Sequence, residues 1–226
     1  MARQPADSAR RQVTPTLPAP MPSSRDTLLA RVNSALAPLP KRAPLPNWDN
    51  ELVIMRQARG PVNAWTFFAE RLKAVNGTPL ASTTNLVATL VQGGWKHGYC
   101  DPALWAEIRP AFDAAGGFTV ETTFDRTRID DYQFGITAAT AGVAETGTIV
   151  LSDRDSSRRL AALSPWVHVA VLRRAQIHID VPAAIAAMPK DPNVVWCTGP
   201  SKTADVEGIL IEGVHGPGIQ IALLLG

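Results

Sequence analysis

Polar and apolar positions alternate without any period over the first two dozen residues. Residues 1–24 carry five prolines among polar side chains, a composition that buries too little apolar surface to order a backbone and predicts a disordered tail. A 3.6-residue period then sets in. Leu28, Leu29, Val32 and Leu36 share one face of a predicted helix, capped by Ser24 or Asp26. Pro38, Pro40, Pro44 and Pro46 end it and form a stiff linker. Residues 25–46 therefore read as an N-terminal helix with a Pro-rich linker, and residues 47–226 as a single α/β domain.

Within that domain, Asn63 to Val75 repeats apolar residues at helical spacing through Trp65, Phe68, Leu72 and Val75, with Asn76-Gly77 as its stop. Residues 85–115 read as two helical pieces, LVATLVQGGW and PALWAEIRPAFDAAG, separated by Gly93, Gly94 and Gly98. Pro102 suits a first helical turn and Gly116-Gly117 a stop. Trp95, Trp105 and Phe112 at that spacing are expected in the core. From Gly117 the texture changes to short strand-like runs: FTVETTF, YQFGIT, GTIVLS, VHVAVLR, NVVWCTG, GILIEGV and IQIALLL. Between them lie an alanine-rich segment, Ala138 to Ala144, and VPAAIAAMPK, helical up to Pro189. Runs such as VHVAVL and IALLL are apolar on both faces. This predicts central strands of a mostly parallel sheet covered by helices on both sides.

Composition narrows the function classes. Hydrophobic content of 46% and charged content of 19% belong to a folded chain. A net charge of +2, with Lys and Arg dispersed, gives no nucleic-acid footprint. No apolar run approaches the roughly 18 residues of a membrane span. Arg10 and Arg11 precede a polar, proline-rich stretch instead of an apolar core, so no export signal is read and the cytoplasm is the expected compartment. The two cysteines, Cys100 and Cys197, are too few for a zinc or iron–sulfur site built on thiolates, and no resident metal is expected.

Polar chemistry collects in three places, each where a predicted strand meets a loop. In AGVAETGTIVLS, Glu145, Thr146, Gly147 and Thr148 interrupt apolar texture just before a strand. A glycine there permits close approach of a ligand, and the threonines offer hydroxyls and amides to an anion. Taken alone, the motif fits a tight hairpin with Glu145 at its tip better than an anion loop. In TGPSKTADVEG, Gly199-Pro200 makes a turn followed by Ser201, Lys202, Thr203, Asp205 and Glu207. A short helix starting near Ser201 or Thr203 would add free amides to Lys202 as an anion pocket, and its dipole would favour the two acids. No capping box supports that helix, since Ala204 and Val206 stand where Glu or Gln would. In GVHGP, His215 sits between glycine-rich neighbours at a strand end, as an acid–base candidate. His168 and His178 alternate with apolar residues and read as structural. His97 lies in a predicted glycine-rich turn and fits either role. In an open α/β sheet, such loops converge at the carboxyl ends of the strands.

The residues GITAATAGVAETGTIVLS, WVHVAVLRRAQIH and TGPSKTADVEGILIEGVHGP, in that order, resemble the LUD family of the LutC/YkgG type, from about Ile129 to the end. RDTLLARVNSALA is similar to that family's N-terminal start. The resemblance implies that residues 47–226 are a LUD-type domain with a fold like the NagB/RpiA/CoA-transferase group. It also implies a part in oxidising L-lactate to pyruvate, as a subunit of a lactate-oxidising complex with iron–sulfur partners, LutA- and LutB-like, that hold the clusters this chain lacks. It carries Glu145, Thr146, Gly147 and Thr148 onto the AETGT loop, Gly199, Ser201, Lys202, Thr203, Asp205 and Glu207 onto a second, and His215 onto GVHGP. A small carboxylate ligand at the two loops, with Glu145 or His215 taking a proton, is the implied site. Gly218 departs from the bulkier or basic residue common after HGP, which puts a second cation there in question. Two other readings stay open: a stand-alone binder or enzyme for a phosphorylated or CoA-type molecule, and a non-catalytic assembly scaffold. The absence of GxGxxG and of GxxxxGK[ST] weighs against a self-sufficient nucleotide enzyme.

Overall fold

The structure, a computed structural model, describes residues 23–38, 63–152, 159–188, 190, 193–204 and 209–226. Most of the expected tail and all of the linker from Pro40 onward lie outside the described residues, as do Asp205 and Glu207. The chain forms two units, residues 1–58 and 59–226. The first contains α1 (Ser24–Leu36), whose cap is Ser23, one residue before the predicted Ser24. Ser23 keeps an extended backbone, and its Oγ accepts the Asp26 N–H at 3.1 Å while donating to Asp26 Oδ2 at 2.6 Å. One side chain thus serves both partners at the helix start.

The second unit is built on a six-stranded sheet in the order β1-β12-β7-β4-β2-β3, parallel at every pairing. Its strands are β1 (Thr78–Leu80), β2 (His97–Cys100), β3 (Thr119–Glu121), β4 (Phe134–Ala138), β7 (Val167–Leu172) and β12 (Ile219–Leu224). Side chains alternate across it. Val167, Val169, Val171, Ile221 and Leu223 meet Leu86 and Leu90 of α3 (Thr83–Gln92) and Ile108 and Phe112 of α4 (Pro102–Ala115). Ala170, Leu172, Ala222 and Leu224 meet Phe68 and Leu72 of α2 (Ala64–Ala74) on the other face. That face is also covered by a four-stranded sheet, β8-β5-β6-β9, through Ile149 and Leu151. Its members are β5 (Ala141–Val143), β6 (Thr148–Ser152), β8 (Ile177–His178) and β9 (Val194–Cys197). Strands apolar on both faces thus sit between two layers, the α/β architecture predicted.

Helix ends follow the punctuation of the sequence. Asn76 takes a left-handed conformation at φ 68°, and the Gly77 N–H returns 2.8 Å to the Leu72 carbonyl, closing α2. Asp101 caps α4, Pro102 fills its first turn, and Gly116 leaves it at φ 65°.

Three expectations change. The interval between the two predicted helices holds β2, so His97 is a strand residue and not part of a turn. The alanine-rich segment is the end of β4 and then β5; its small side chains fit close packing of β5 on α6 (Val181–Ala187), the helix that follows the short α5 (Arg159–Leu163), and Ala141, Val143 and Ala184 are buried together there. Of the three aromatics expected in the core, Phe112 is buried and Trp105 packs against it, whereas Trp95 also reaches a surface cleft.

Candidate functional site

The segment Ala144–Gly147 is the turn of a β5–β6 hairpin, with Val143 opposite Thr148. Glu145 is not solvated at the tip. The Val181 N–H, at the start of α6, donates to Glu145 Oε1 at 2.9 Å, and the Glu145 N–H donates to the Ile179 carbonyl at 3.1 Å. The carboxylate therefore complements the positive end of a helix dipole. Gly147 has φ 67°, and a Cβ there would overlap the Leu72 amide. The close approach it permits is to α2, not to a ligand.

The turn and the second predicted loop do meet. Thr146 Oγ1 lies 2.6 Å from Thr148 Oγ1, which lies 2.7 Å from Thr198 Oγ1 at the end of β9. This three-hydroxyl chain joins segments fifty residues apart in sequence. Beyond it, Gly199 at φ 79° backs onto the Val75 carbonyl. No helix starts at Ser201 or Thr203. Instead β10 (Lys202–Ala204) pairs antiparallel with β11 (Leu210–Glu212), placing Lys202 opposite Glu212. Opposite charges in register favour that ribbon, and Thr203 opposite Ile211 continues it. Lys202 Nζ lies 3.6 Å from Glu212 Oε1 and donates 3.2 Å to the Val75 carbonyl at the C-terminal end of α2. Asn76 Nδ2 also donates to Glu212, at 2.8 Å. Lys202 is thus a counter-charge to a helix C-terminus and a carboxylate, and among the described residues a strand stands where the helix amides of an anion pocket were expected.

His215 lies elsewhere, though the same loop holds it. Ser201 N–H donates to the Pro217 carbonyl and the Gly213 N–H donates to the Ser201 carbonyl, each at 2.9 Å. This pins residues 213–217 beside Ser201, with His215 exposed on a cleft of about 570 Å³. Trp95, Tyr132 and Trp166 share that cleft. They lie one or two residues before the starts of β2, β4 and β7, as Gly213–Gly216 precede β12. The cleft therefore opens at the amino ends of the parallel strands, opposite to the expected carboxyl ends.

Beside it is a cluster that the sequence reading did not find. His97 Nε2 lies 2.9 Å from Glu121 Oε1 and Nδ1 lies 3.0 Å from the Asp131 carbonyl. Tyr132 Oη donates to Glu121 Oε2 at 2.9 Å, and Arg128 adds a bond to Oε1 at 3.2 Å. Hydrogen bonds from His97 and then Tyr132 hold the Glu121 carboxyl below its ordinary range, while burial raises the Tyr132 phenol. The β2–β3 register sets His97 opposite Thr119, two residues before Glu121 on the same strand, and no local sequence pattern encodes that pairing.

A second polar group is buried inside the sheet. His168 Nε2 is 2.9 Å from Thr137 Oγ1, and Nδ1 is 3.1 Å from Gln220 Oε1. Burial pushes the imidazole down to about 4, so it is neutral, with Nδ1–H donating to Gln220 and Nε2 accepting from Thr137. Burial also pushes the Cys100 and Cys197 thiols up, to about 12 and about 11. Among the described residues, no three His, Cys, Asp or Glu side chains are grouped to hold a metal ion, and no helix is long and apolar enough to cross a membrane.

Compared with known proteins, the chain matches the LUD domain over residues 106–225. Lactate utilization protein C of Deinococcus radiodurans is 34% identical over 102 residues, 43% of this chain and 48% of that protein. Its namesake in Bacillus licheniformis is 32% identical over 98 residues, 40% of this chain and 41% of that protein. The match thus spans less than half the length of these two relatives. Lactate utilization protein C of Macrococcus caseolyticus is 30% identical over 163 residues, 62% of this chain and 68% of that protein. The crystal structure of a DUF162 family protein from Deinococcus radiodurans shares the fold, with a TM-score of 0.51, 21% identity, 74% of this chain covered and 100% of that one.

Proposed function

The chain belongs to the LUD domain family, and from that premise we propose that it is a component of an L-lactate utilization system, working beside LutA- and LutB-like iron–sulfur partners. The observation that carries the reading is the domain match over residues 106–225, which contains the AETGT turn, the TGPSKTADVEG stretch and GVHGP together. Oxidising lactate to pyruvate removes two electrons and two protons, so an electron acceptor is required. Four thiolates hold a cubane cluster, and this chain has two cysteines; the clusters are accordingly assigned to the partners.

We place the lactate carboxylate at the Thr146–Thr148–Thr198 hydroxyl chain, which can donate to an anion at its open end. Gly199 and Ser201 of the adjoining turn and Thr203 of β10 are proposed to line the same site, with Asp205 and Glu207 contributing from the segment outside the described residues. Lys202 serves the ligand by exchanging Glu212 for its carboxylate. Of the two candidate bases, Glu145 shares the turn with the threonines whereas His215 lines the cleft, so Glu145 is the proposed acceptor of the hydroxyl proton. A scaffold reading is favoured by one observation: Glu145, Gly147, Gly199 and Lys202 each already have a structural partner.

Co-purification with the partners, followed by a lactate:dye-reductase assay, separates the readings. The complex is expected to be active, and Lys202→Ala and Glu145→Gln to lower its turnover or raise KM for lactate. Full activity in both variants within an assembled complex would establish the scaffold. Lactate oxidation by the isolated chain would overturn dependence on partners.

A further inference from the structure

The cleft at the amino ends of the strands is built around two indoles, each backed by glycine. A Cβ on Gly213 or Gly218 would fall onto the benzo ring of Trp166, near several ring carbons at once, which places the glycine backbone under the ring's face. Gly93 underlies Trp95 in the same manner. Glycine is required at these positions because any side chain would occupy the space of the ring. Trp166 nonetheless remains 47% exposed. A large apolar side chain fixed from behind and open in front has lost its conformational entropy before any ligand arrives. Single exposed apolar residues need no explanation, but this one shares a concave surface with Trp95 and Tyr132.

The polar groups on the walls define what such a platform accepts. Among the described residues the lining contains no Lys or Arg, so no cationic side chain of these is placed to hold a phosphate. Asp130 offers acceptors, and His215 offers a donor and an acceptor. Gln133 lines the same wall; its carbonyl takes the Lys96 and His97 N–H groups at 2.7 and 3.0 Å, which turns its NH2 away from them. Donors and acceptors around aromatic faces match the edge of a nitrogen heterocycle.

We propose that this cleft binds a planar nitrogen heteroaromatic ring, stacked on Trp166, with phosphates, where the ligand has them, left outside. The site is independent of the lactate reading: it uses none of Glu145, Lys202 or the hydroxyl chain. Two kinds of ligand present such a ring, a flavin and a nucleobase, and the experiment distinguishes them.

The full chain is titrated calorimetrically with riboflavin and with adenosine, then with FMN and AMP. Saturable binding of one ring is expected and identifies its class, and the phosphorylated form should bind no more tightly. Since stacking on an aromatic face contributes strongly to ring affinity, Trp166→Ala should weaken binding roughly tenfold or more, and Trp166→Phe less. Ser164→Trp, which fills the cleft while leaving both indoles in place, should abolish binding in a protein whose circular dichroism is unchanged. The proposal is overturned if neither ring binds up to its solubility limit, if binding survives both Trp166→Ala and Ser164→Trp, or if affinity depends on the phosphate.

Discussion

His168 shows how a single side chain ties pH to the stability of the sheet. It is fully buried between strands, and its imidazole is pushed down to about 4 by desolvation. In the unfolded chain the same group titrates near 6.5. Between those values the unfolded state binds a proton that the folded state refuses. Stability is therefore complete above the unfolded value, falls as pH drops toward the folded value, and levels off below it. At about 1.4 kcal/mol per unit, the full loss is roughly 3 kcal/mol. Urea unfolding between pH 7.5 and 5 should show this decline in the wild type, and His168→Gln should remove that component. An identical pH slope in both proteins would contradict the assignment. The structural role of His168 was legible from its alternation with valines. The role of Glu145 was not, because its partner, the amide of Val181, lies 36 positions downstream and is brought close only by the β5–β8 pairing.

At the scale of elements, the glycines that looked like ligand contacts are instead where the second sheet and its following loop touch α2. Gly147 combines φ 67° with a Cβ position that overlaps the Leu72 and Arg71 backbone. Gly94 has φ 73° but nothing within 4 Å of its Cβ position. Both pay the left-handed cost of about 1–2 kcal/mol on substitution by alanine. Only Gly147→Ala also displaces a helix, and overpacking of that kind adds about 1–3 kcal/mol. Denaturant titration should thus place Gly147→Ala well below Gly94→Ala; equal losses would mean that α2 yields freely. The sequence marked the long helices and the longer apolar strands, because their periods are local, but not the short β5 and β8. It missed β1 and β2, each only three or four residues long and carrying Pro79 or Gly98, because pairing with distant strands creates them. It offered a short helix where β10 runs, since the register of Lys202 with Glu212 cannot be read from either segment alone.

For the molecule as a whole, the parallel class of the sheet was legible in strands apolar on both faces, whereas its order was not. β1, first in sequence, pairs with β12, the last, and β2 enters between β3 and β4. The LUD domain match starts at residue 106, but β2 is the partner that joins β3 to the sheet. Leu86, Val87, Leu90, Cys100 and Leu104, all upstream of that point, are buried in the core cluster beneath β7 and β12. Burial of each large aliphatic side chain contributes about 1.5–3 kcal/mol. Losing them together rivals the entire 5–15 kcal/mol by which a domain of this kind is about stable. A fragment of residues 106–226 should therefore show no cooperative thermal transition and no near-ultraviolet circular dichroism, while the full chain shows both. Cooperative unfolding of the fragment would mean that β3 and β4 find each other without β2, and that the six-stranded order is not required for the core.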